Sequence, residues 1–256
     1  MSEREGEVSH HSLLGLDLGH RGPEPLPVLR RRMLLAGVVL LVLAAALTAV
    51  VAGDSSAVQG IDDRFRRLMV SLHWPPLVAA AEGLSIAFGT YVTWPLRAVV
   101  TLVIALRRHW LALGAWVSTV LLSELAIGPV KALVDRPRPP GAEVVTSGAS
   151  YPSGHAIASA ITAIGIVMAL TSGRKRLHWM VGAVLIAASV AVSRTYLSAH
   201  WLTDVIGGSL IGAGLALAVP EAFEVIRDRR SPGGERVSPV DRPGGDPGGE
   251  EGRPAA

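Results

Sequence analysis

The chain of 256 residues is half hydrophobic and only 18% charged, and it contains no cysteine. Soluble domains carry about a quarter charged residues, so this composition favours a membrane protein. The lack of cysteine excludes disulfides, cysteine-based zinc sites and a thiol nucleophile. The formal net charge of +3 comes from short basic clusters between apolar runs, a pattern that favours membrane orientation over nucleic-acid binding.

Six apolar segments are each close to the roughly 20 residues that a helix needs to cross a hydrocarbon core. They comprise residues 33–53, 84–106, 111–134, 155–172, 177–197 and 202–219. We therefore predict an all-α fold, a bundle of six transmembrane helices within residues 30–226. The stretch 75–106 could also be divided into two short helices. The first segment is longer than the apolar region of a typical signal peptide, which favours a retained signal-anchor helix.

Three further segments are more polar. Residues 1–29 and 227–256 have too few apolar groups to offset their ordering entropy, so we predict two disordered tails. Residues 61–74, IDDRFRRLMVSLHW, place apolar side chains at helical spacing and predict an amphipathic helix. The pattern fits a helix on the outer membrane surface and a loop helix packed on the spans equally well.

Basic residues in short loops indicate which side of a membrane protein is cytoplasmic. The clusters here are residues 30–32, 107–108, 174–176 and 227–230. With six spans all four clusters lie on one face. We therefore predict a multi-pass protein of the cell membrane with both termini in the cytoplasm.

Ionisable side chains near a bilayer core are costly, so their positions point to function. They gather in three segments, namely KALVDRPRPP at 131–140, YPSGHA at 151–156 and SRTYLSAHWLTD at 193–204. The predicted topology puts all three segments on the outer side of the membrane. They can therefore converge on one site.

The three segments together provide the elements of an anion site. The cations are Lys131, Arg136, Arg138 and Arg194, and a helix start is predicted at residues 153–155. Fixed cations and free backbone N–H groups at a helix start bind anions, and the guanidinium fork fits phosphate oxygens. The predicted ligand is a phosphoryl group.

His200 and Asp204 are four residues apart, which places them on one face of a helix. A carboxylate that accepts the proton of one ring nitrogen leaves the other nitrogen free to attack. His200 is therefore the candidate nucleophile and His155 the candidate acid. Each fragment also has a structural interpretation, such as an arginine that reaches the head groups or a helix cap at Ser153. The functional interpretation depends on all three segments sharing one face.

The same segments resemble the signature of the membrane-bound type 2 phosphatidic acid phosphatases, a superfamily that includes vanadium haloperoxidases. Residues 131–139 match K-x6-R-P, residues 152–155 match P-S-G-H, and residues 193–204 match S-R-x5-H-x3-D. The resemblance extends from about residue 61 to residue 219. P-S-G-H alone would be weak, but the three parts in this order are specific.

The resemblance implies an integral membrane phosphatase that hydrolyses a lipid phosphate or diphosphate through a phosphohistidine intermediate. His200 would be the nucleophile, Asp204 would orient it, and His155 would be the general acid and then the base. The phosphoryl oxygens would be bound by Lys131, Arg138, Ser153, Gly154 and Arg194. Arg136 lies in the variable part of the first motif. The family uses no metal, and we expect no metal or other cofactor here.

Candidate substrates are polyprenyl diphosphate, phosphatidic acid, phosphatidylglycerol phosphate and a prenyl-linked sugar phosphate. A phosphotransferase with a lipid or sugar acceptor would use the same residues. A transporter or lipid-binding protein is the third hypothesis. A transporter would place polar groups near the membrane midplane, whereas the ionisable residues of the three segments lie at one face and Glu124 is the exception. Glu124 is either a buried partner of the site or an acid packed between helices, and its distance from the outer face favours the second interpretation.

Overall fold

The computed structural model describes residues 27–230, which form helices and loops without any β-strand in that range. In chain order the helices are α1 (Pro27–Gly53), α2 (Ser56–Ser71), α3 (Pro75–Ala87), α4 (Thr90–Leu106), α5 (Trp110–Val134), α6 (Gly154–Leu170), α7 (Gly173–Tyr196) and α8 (Leu202–Arg230). The predicted all-α fold is confirmed. Apart from the residues at the start of α1 and the end of α8, the two predicted tails lie outside the described residues.

Four of the described helices are long and apolar enough to cross a membrane. They are Leu29–Gly53 of α1, Trp110–Val134 of α5, Lys175–Tyr196 of α7 and Leu202–Arg230 of α8. The pair α3 and α4 makes a fifth candidate if it is counted as one span, although it is bent by 44°. α6 is apolar but has only 17 residues. These helices are those of a multi-pass membrane protein.

The predicted span 84–106 contains a break. Phe88 ends α3, and Gly89 is the extended residue that precedes α4. A Cβ at Gly89 would lie 3.1 Å from the carbonyl oxygen of Ser85 and 3.2 Å from that of Ile86, so the turn is tight. The structure therefore has the two shorter helices that were the alternative for this stretch, because hydropathy does not detect a change of backbone direction within an apolar run.

α6 is the central helix of the bundle, because it packs against α5, α7 and α8 and buries most of its side chains. Glycines of α8 allow a very close approach. A Cβ at Gly208 would lie 2.6 Å from the carbonyl oxygen of Ser153, and one at Gly212 would lie 2.7 Å from that of Ile157. The first turns of α6 and α8 are therefore held side by side, and the backbone N–H of Ser153 donates to the carbonyl of Asp204 at 3.1 Å.

The basic clusters gather at the opposite end of the bundle from these first turns. Arg30 of α1 lies 3.5 Å from Glu224, and Arg176 of α7 lies 3.7 Å from Glu221. Both acids belong to the last turns of α8. The start of α1, the start of α7 and the end of α8 therefore meet at one end, as the predicted topology requires.

α2 contains the predicted amphipathic helix but begins earlier, at Ser56. Ile61 and Leu68 are exposed, whereas Asp62 and Met69 are buried where the helix packs on α7 and α8. The helix therefore combines features of both interpretations, an exposed apolar surface and a face packed on the spans. The burial of Asp62 was not predicted, and it places a carboxylate inside the protein.

Candidate active site

His200 lies in the short loop that joins α7 to α8. Ser198 has a positive φ of 51°, which turns the chain back over the end of α7. The N–H groups of Ala199 and His200 both donate to the carbonyl of Arg194, at 3.0 and 3.2 Å. His200 is only 5% exposed. The loop therefore holds the histidine against the last turn of α7.

The two ring nitrogens of His200 have different neighbours. Nε2 lies 3.3 Å from Nη1 of Arg138, and because a guanidinium only donates, Nε2 must be the acceptor. The ring proton is then on Nδ1, which faces Oδ2 of Asp204 at 3.6 Å. This separation is longer than a hydrogen bond, as is common for catalytic contacts before substrate binds. The lone pair of a neutral imidazole is thus on Nε2.

The charge state of His200 agrees with this geometry. Burial is the largest influence and lowers the pKa of His200, while Arg138 and Arg194 lower it further. Asp204 acts in the opposite direction but does not reverse the shift. The pKa therefore lies below its ordinary value of 6.5, and the ring is neutral at pH 7.

Asp204 is fully buried in the first turn of α8 and is surrounded by donors. Its Oδ2 accepts the backbone N–H of Trp201 at 2.8 Å and the hydroxyl of Ser150. Its Oδ1 accepts Nη1 of Arg136 at 2.9 Å. A carboxylate is also favoured at a helix N-terminus by the helix dipole. These contacts hold Asp204 ionised and fixed in orientation.

Arg136 supports Asp204 rather than facing the phosphate-binding residues. Its Nη1 donates to Asp204, and its Nη2 donates to Asp62 of α2 at 2.7 Å. The guanidinium also lies over the ring of Trp201, 5.5 Å from the ring centre. Arg136 is thus enclosed between two carboxylates.

Arg138 and Lys131 are both tied to the loop that precedes Tyr151. Arg138 donates from Nε to the carbonyl of Gly148 at 3.0 Å and from Nη2 to that of Ser147 at 2.8 Å. Lys131 donates from Nζ to the carbonyl of Ala149. These bonds fix two cations beside His200 without placing a carboxylate directly on either of them.

The start of α6 has the form of an anion site. Ser153 is the residue before the helix, but its side chain makes no capping bond, and its Oγ is buried without a partner among residues 27–230. Ser153 is therefore at the N-cap position, as the structural interpretation expects, but its side chain does not bond to the helix start. A Cβ at Gly154 would meet nothing within 4 Å, so open space faces this helix start. The first N–H groups of a helix without a side-chain cap can bind an anion there.

His155 follows directly and faces the break between α3 and α4. Its Nε2 would lie 3.9 Å from a Cβ at Gly89. Arg194, Arg138 and His200 are all close enough to His155 to interact with it electrostatically. His155 therefore borders the same space as the nucleophile candidate.

The structure brings the eight predicted site residues to one end of the bundle. They are Lys131, Arg138, Ser153, Gly154, His155, Arg194, His200 and Asp204. Each lies near the end of a helix, and α5 and α7 end where α6 and α8 begin. Convergence of the three motifs, on which the functional interpretation depended, is therefore present.

This arrangement has counterparts among known proteins. The family model of the PAP2 superfamily matches residues 108–227, which include all eight of these residues. A crystal structure of a transmembrane PAP2-type phosphatidylglycerolphosphate phosphatase from Bacillus subtilis matches with a TM-score of 0.62 and 25% identity, covering 75% of this chain and 96% of that one. This chain is therefore similar to the PAP2 superfamily in both sequence and fold.

Two curated proteins show how far the similarity of this chain to known proteins extends. Phosphatidylglycerophosphatase B of Bacillus subtilis is 29% identical over 192 residues, which cover 71% of this chain and 92% of that protein. An undecaprenyl-diphosphatase of Sulfolobus acidocaldarius is 40% identical over 67 residues, but this match covers only 26% of this chain and 30% of that protein.

Several residues of the candidate site could not be predicted from the sequence motifs. Ser150 bonds to Asp204, and Asp62 bonds to Arg136. Ser85, at the end of α3, accepts a bond from Nη1 of Arg194. The one available signal was Asp62, which lies seven residues before Met69 and so on the same face of α2 as that apolar side chain.

Glu124 is paired with Arg97, a charged residue of the second predicted span that was not among the predicted site residues. Its Oε1 lies 2.8 Å from Nη1 of Arg97 in α4, and the Nε of Arg97 donates to Thr162 of α6 at 3.0 Å. Arg97 is only 3% exposed. Thr162 is seven residues beyond His155, about 10 Å along the helix. Glu124 is therefore a hydrogen-bonded acid that links α5 to α4, but its side chain is 37% exposed and is not enclosed between the helices.

Proposed function

We propose that this protein is an integral membrane phosphatase that hydrolyses a lipid phosphate or lipid diphosphate through a phosphohistidine intermediate. The observation that carries the proposal is the state of His200. Its Nε2 is an acceptor beside Arg138, and its protonated Nδ1 faces Asp204. A buried neutral imidazole oriented in this way, among cations, is suited to attack phosphorus. The relatives named as lipid phosphatases support the class of reaction.

In the first half of the reaction, Nε2 of His200 attacks phosphorus while the bond between phosphorus and the lipid oxygen breaks. The ring becomes cationic, and the carboxylate of Asp204 stabilises this charge and keeps the proton on Nδ1. His155 donates a proton to the departing oxygen, so the lipid leaves as an alcohol or as a monophosphate. The phosphoryl group is then bonded to His200.

In the second half, His155 accepts a proton from water while the water oxygen attacks the phosphohistidine. The N–P bond breaks, inorganic phosphate leaves and neutral His200 is restored. Charge on the phosphoryl oxygens is stabilised by fixed donors in both halves. These donors are Lys131, Arg138, Arg194, the hydroxyl of Ser153 and the N–H of Gly154. We propose that no metal ion takes part.

The same proposal includes six membrane spans, formed by α1, the bent pair of α3 and α4, α5, α6, α7 and α8. α6 is short, but its 17 residues are at the lower limit for a spanning helix, and neighbouring helices surround it. The end of the bundle that carries Arg30 and Arg176 would be cytoplasmic, because basic loops remain on that side. The active site would then lie at the outer face, with both termini in the cytoplasm.

The substrate would be a membrane lipid whose phosphate lies at head-group level while its chains remain in the bilayer. It would reach the site by lateral diffusion. The names of the relatives favour phosphatidylglycerol phosphate and polyprenyl diphosphate. Phosphatidic acid and a prenyl-linked sugar phosphate have the same reactive group.

The test is phosphate release by the full-length protein in detergent from a panel of these four lipids, with and without a chelator. We expect release from at least one lipid to persist with chelator and to be abolished in His200→Ala. The matched control is His109→Ala, because His109 precedes α5 at the opposite end of the bundle; it should retain activity. Full activity in His200→Ala would refute the histidine mechanism, and lipid binding without release would favour a binding protein.

A further inference from the structure

α2 reaches the catalytic carboxylate although it precedes the part of the chain that the PAP2 family model matches. The connection is Asp62, which is only 1% exposed. Its Oδ2 accepts Nη2 of Arg136 at 2.7 Å, and Nη1 of the same guanidinium donates to Asp204 at 2.9 Å. A continuous chain of buried charged groups therefore runs from α2 through Arg136 and Asp204 to His200.

Asp62 also holds the start of α8. Its Oδ1 accepts the backbone N–H of Thr203 at 2.9 Å, and its Oδ2 accepts the Thr203 hydroxyl at 2.7 Å. That hydroxyl is 2.7 Å from Nη1 of Arg136 as well. Asp62 thus supplies, from another helix, an acceptor for one of the first N–H groups of α8, a place normally taken by a capping side chain. Thr203 directly precedes Asp204, so this contact fixes the backbone that carries the catalytic carboxylate.

The charges explain why a second carboxylate is useful. Arg136 is buried between Asp62 and Asp204, so its single positive charge is shared by two carboxylates. Asp204 therefore retains enough negative charge to hold the Nδ1 proton of His200. Without Asp62, Asp204 would be the one carboxylate bonded to Arg136 among the described residues. Gln59 would still accept a bond from the guanidinium, but it carries no charge to draw the guanidinium away from Asp204. The loss of Asp62 would therefore weaken the contact between Asp204 and His200.

We propose that Asp62 is a positioning residue for phosphoryl transfer, which acts through Arg136 and Thr203 to fix the carboxylate of Asp204 and so to aim His200. The inference rests on the proposed function, because it needs an attack by His200. A merely structural role would be to fasten α2 to the bundle. The two roles differ in what they change: positioning sets the rate of the chemical step, whereas fastening sets the fraction of folded molecules.

The experiment is a single-turnover measurement on the full-length protein in mixed micelles. The substrate is the lipid of the panel above that wild type hydrolyses fastest, radiolabelled on the phosphoryl group, and rapid quenching follows the acid-labile phosphoprotein. In Asp62→Asn we expect the rate constant of its formation to fall about ten- to a hundred-fold, the size of effect found when the outer partner of a metal-ligating histidine or carboxylate is removed. KM should change little, because Asp62 does not face the phosphate-binding residues.

The matched control is Asp54→Asn, the same change in the exposed loop before α2, where the carboxylate accepts the backbone N–H of Ser56. It should keep a rate constant close to that of wild type. Asp63 is less suitable, because its partner Gln59 also accepts a bond from Arg136. Thr203→Val is a second test that does not alter charge, and it should lower the rate constant several-fold even if Asp62→Asn folds poorly.

The outcomes separate the inference from the proposed function. A wild-type rate constant with a reduced amplitude in Asp62→Asn, together with an unchanged rate constant in Thr203→Val, would overturn the positioning role and leave the phosphatase proposal intact. An equal loss of rate in Asp54→Asn would also overturn it, because the effect would then not be specific to Asp62. A wild-type protein that releases phosphate from no lipid and forms no phosphoprotein would overturn both proposals.

Discussion

Replacement of Asp204 by asparagine should remove most of the activity while changing few atoms. Every described neighbour of this carboxylate is a donor: the N–H of Trp201, the hydroxyl of Ser150 and a guanidinium N–H of Arg136. The amide NH2 of asparagine would have to face one of these donors. It would also present no negative charge to Nδ1 of His200, which lies 3.6 Å from Oδ2.

The expected magnitude follows from the tautomer of His200. Without the carboxylate, the contact with Arg138 alone favours the proton on Nδ1, and the positive charge that the ring gains on attack loses its counter-charge. In the tautomer with the proton on Nε2, the lone pair is on Nδ1, which faces position 204 and not the phosphate-binding residues. In a comparable histidine–aspartate pair this change lowers kcat by about 10⁴, equivalent to about 5.5 kcal/mol of barrier. Some stability will also be lost, because breaking a buried ion pair costs about 3–5 kcal/mol. Arg136 keeps Asp62 as a partner, which limits this loss.

The assay is steady-state phosphate release, corrected for the folded fraction by size-exclusion chromatography and a thermal melt. Asp54→Asn, in the exposed loop after α1, is the control and should behave as wild type. A folded Asp204→Asn variant with kcat within ten-fold of wild type would refute the reasoning, because the orientation of the histidine would then not depend on this carboxylate.

Three further predictions concern charge and packing. The rate should fall on the acid side below pH 6.5, because burial and nearby arginines lower the pKa of His200, the proposed nucleophile. Arg138→Gln should move this acid limb of the kcat/KM profile to higher pH. An unchanged acid limb would contradict the role given to Arg138. Gly212→Ala should lower stability by about 1–3 kcal/mol in a thermal melt, because the new methyl group meets backbone of α6, whereas Gly182→Ala meets nothing within 4 Å and should be tolerated. Glu124→Gln should lower the melting temperature, because the buried guanidinium of Arg97 would lose its counter-charge. Arg97→Met combined with Glu124→Leu should restore the melting temperature. A double variant that still melts at the lower temperature would show that the pair contributes more than mutual neutralisation.

Much of the candidate site could be predicted because its residues mark the ends of apolar segments. The end of one predicted span and the start of the next lie on the same side of the membrane, and two crossings, α6 and α7, separate the end of α5 from the end of α7. Helix counting alone therefore puts the ends of α5 and α7 on the side where α6 and α8 begin. Lys131, Arg194 and Asp204 lie at those ends, and their convergence follows from span length and loop charge. The relation of His200 to Asp204 is local in sequence and could be predicted from their spacing.

Other features depended on contacts that no local pattern records. The break at Gly89 lies within an apolar run, and its turn became visible only from the backbone. Arg97 and Glu124 sit in different helices, so that each alone has the form of an isolated charge in an apolar segment. Their pairing depends on how α4 and α5 are rotated about their axes.

The sequence alone was enough to predict the proposed chemistry, namely which side chains could bind and transfer a phosphoryl group and at which end of the bundle they lie. How those side chains are supported became visible only in the fold. Asp62 and Thr203 are 141 residues apart, and they meet because α2 packs across the starting turn of α8. The physical reason is that motif spacing constrains neighbours along one helix, whereas the partners of a buried charge are chosen by packing between helices.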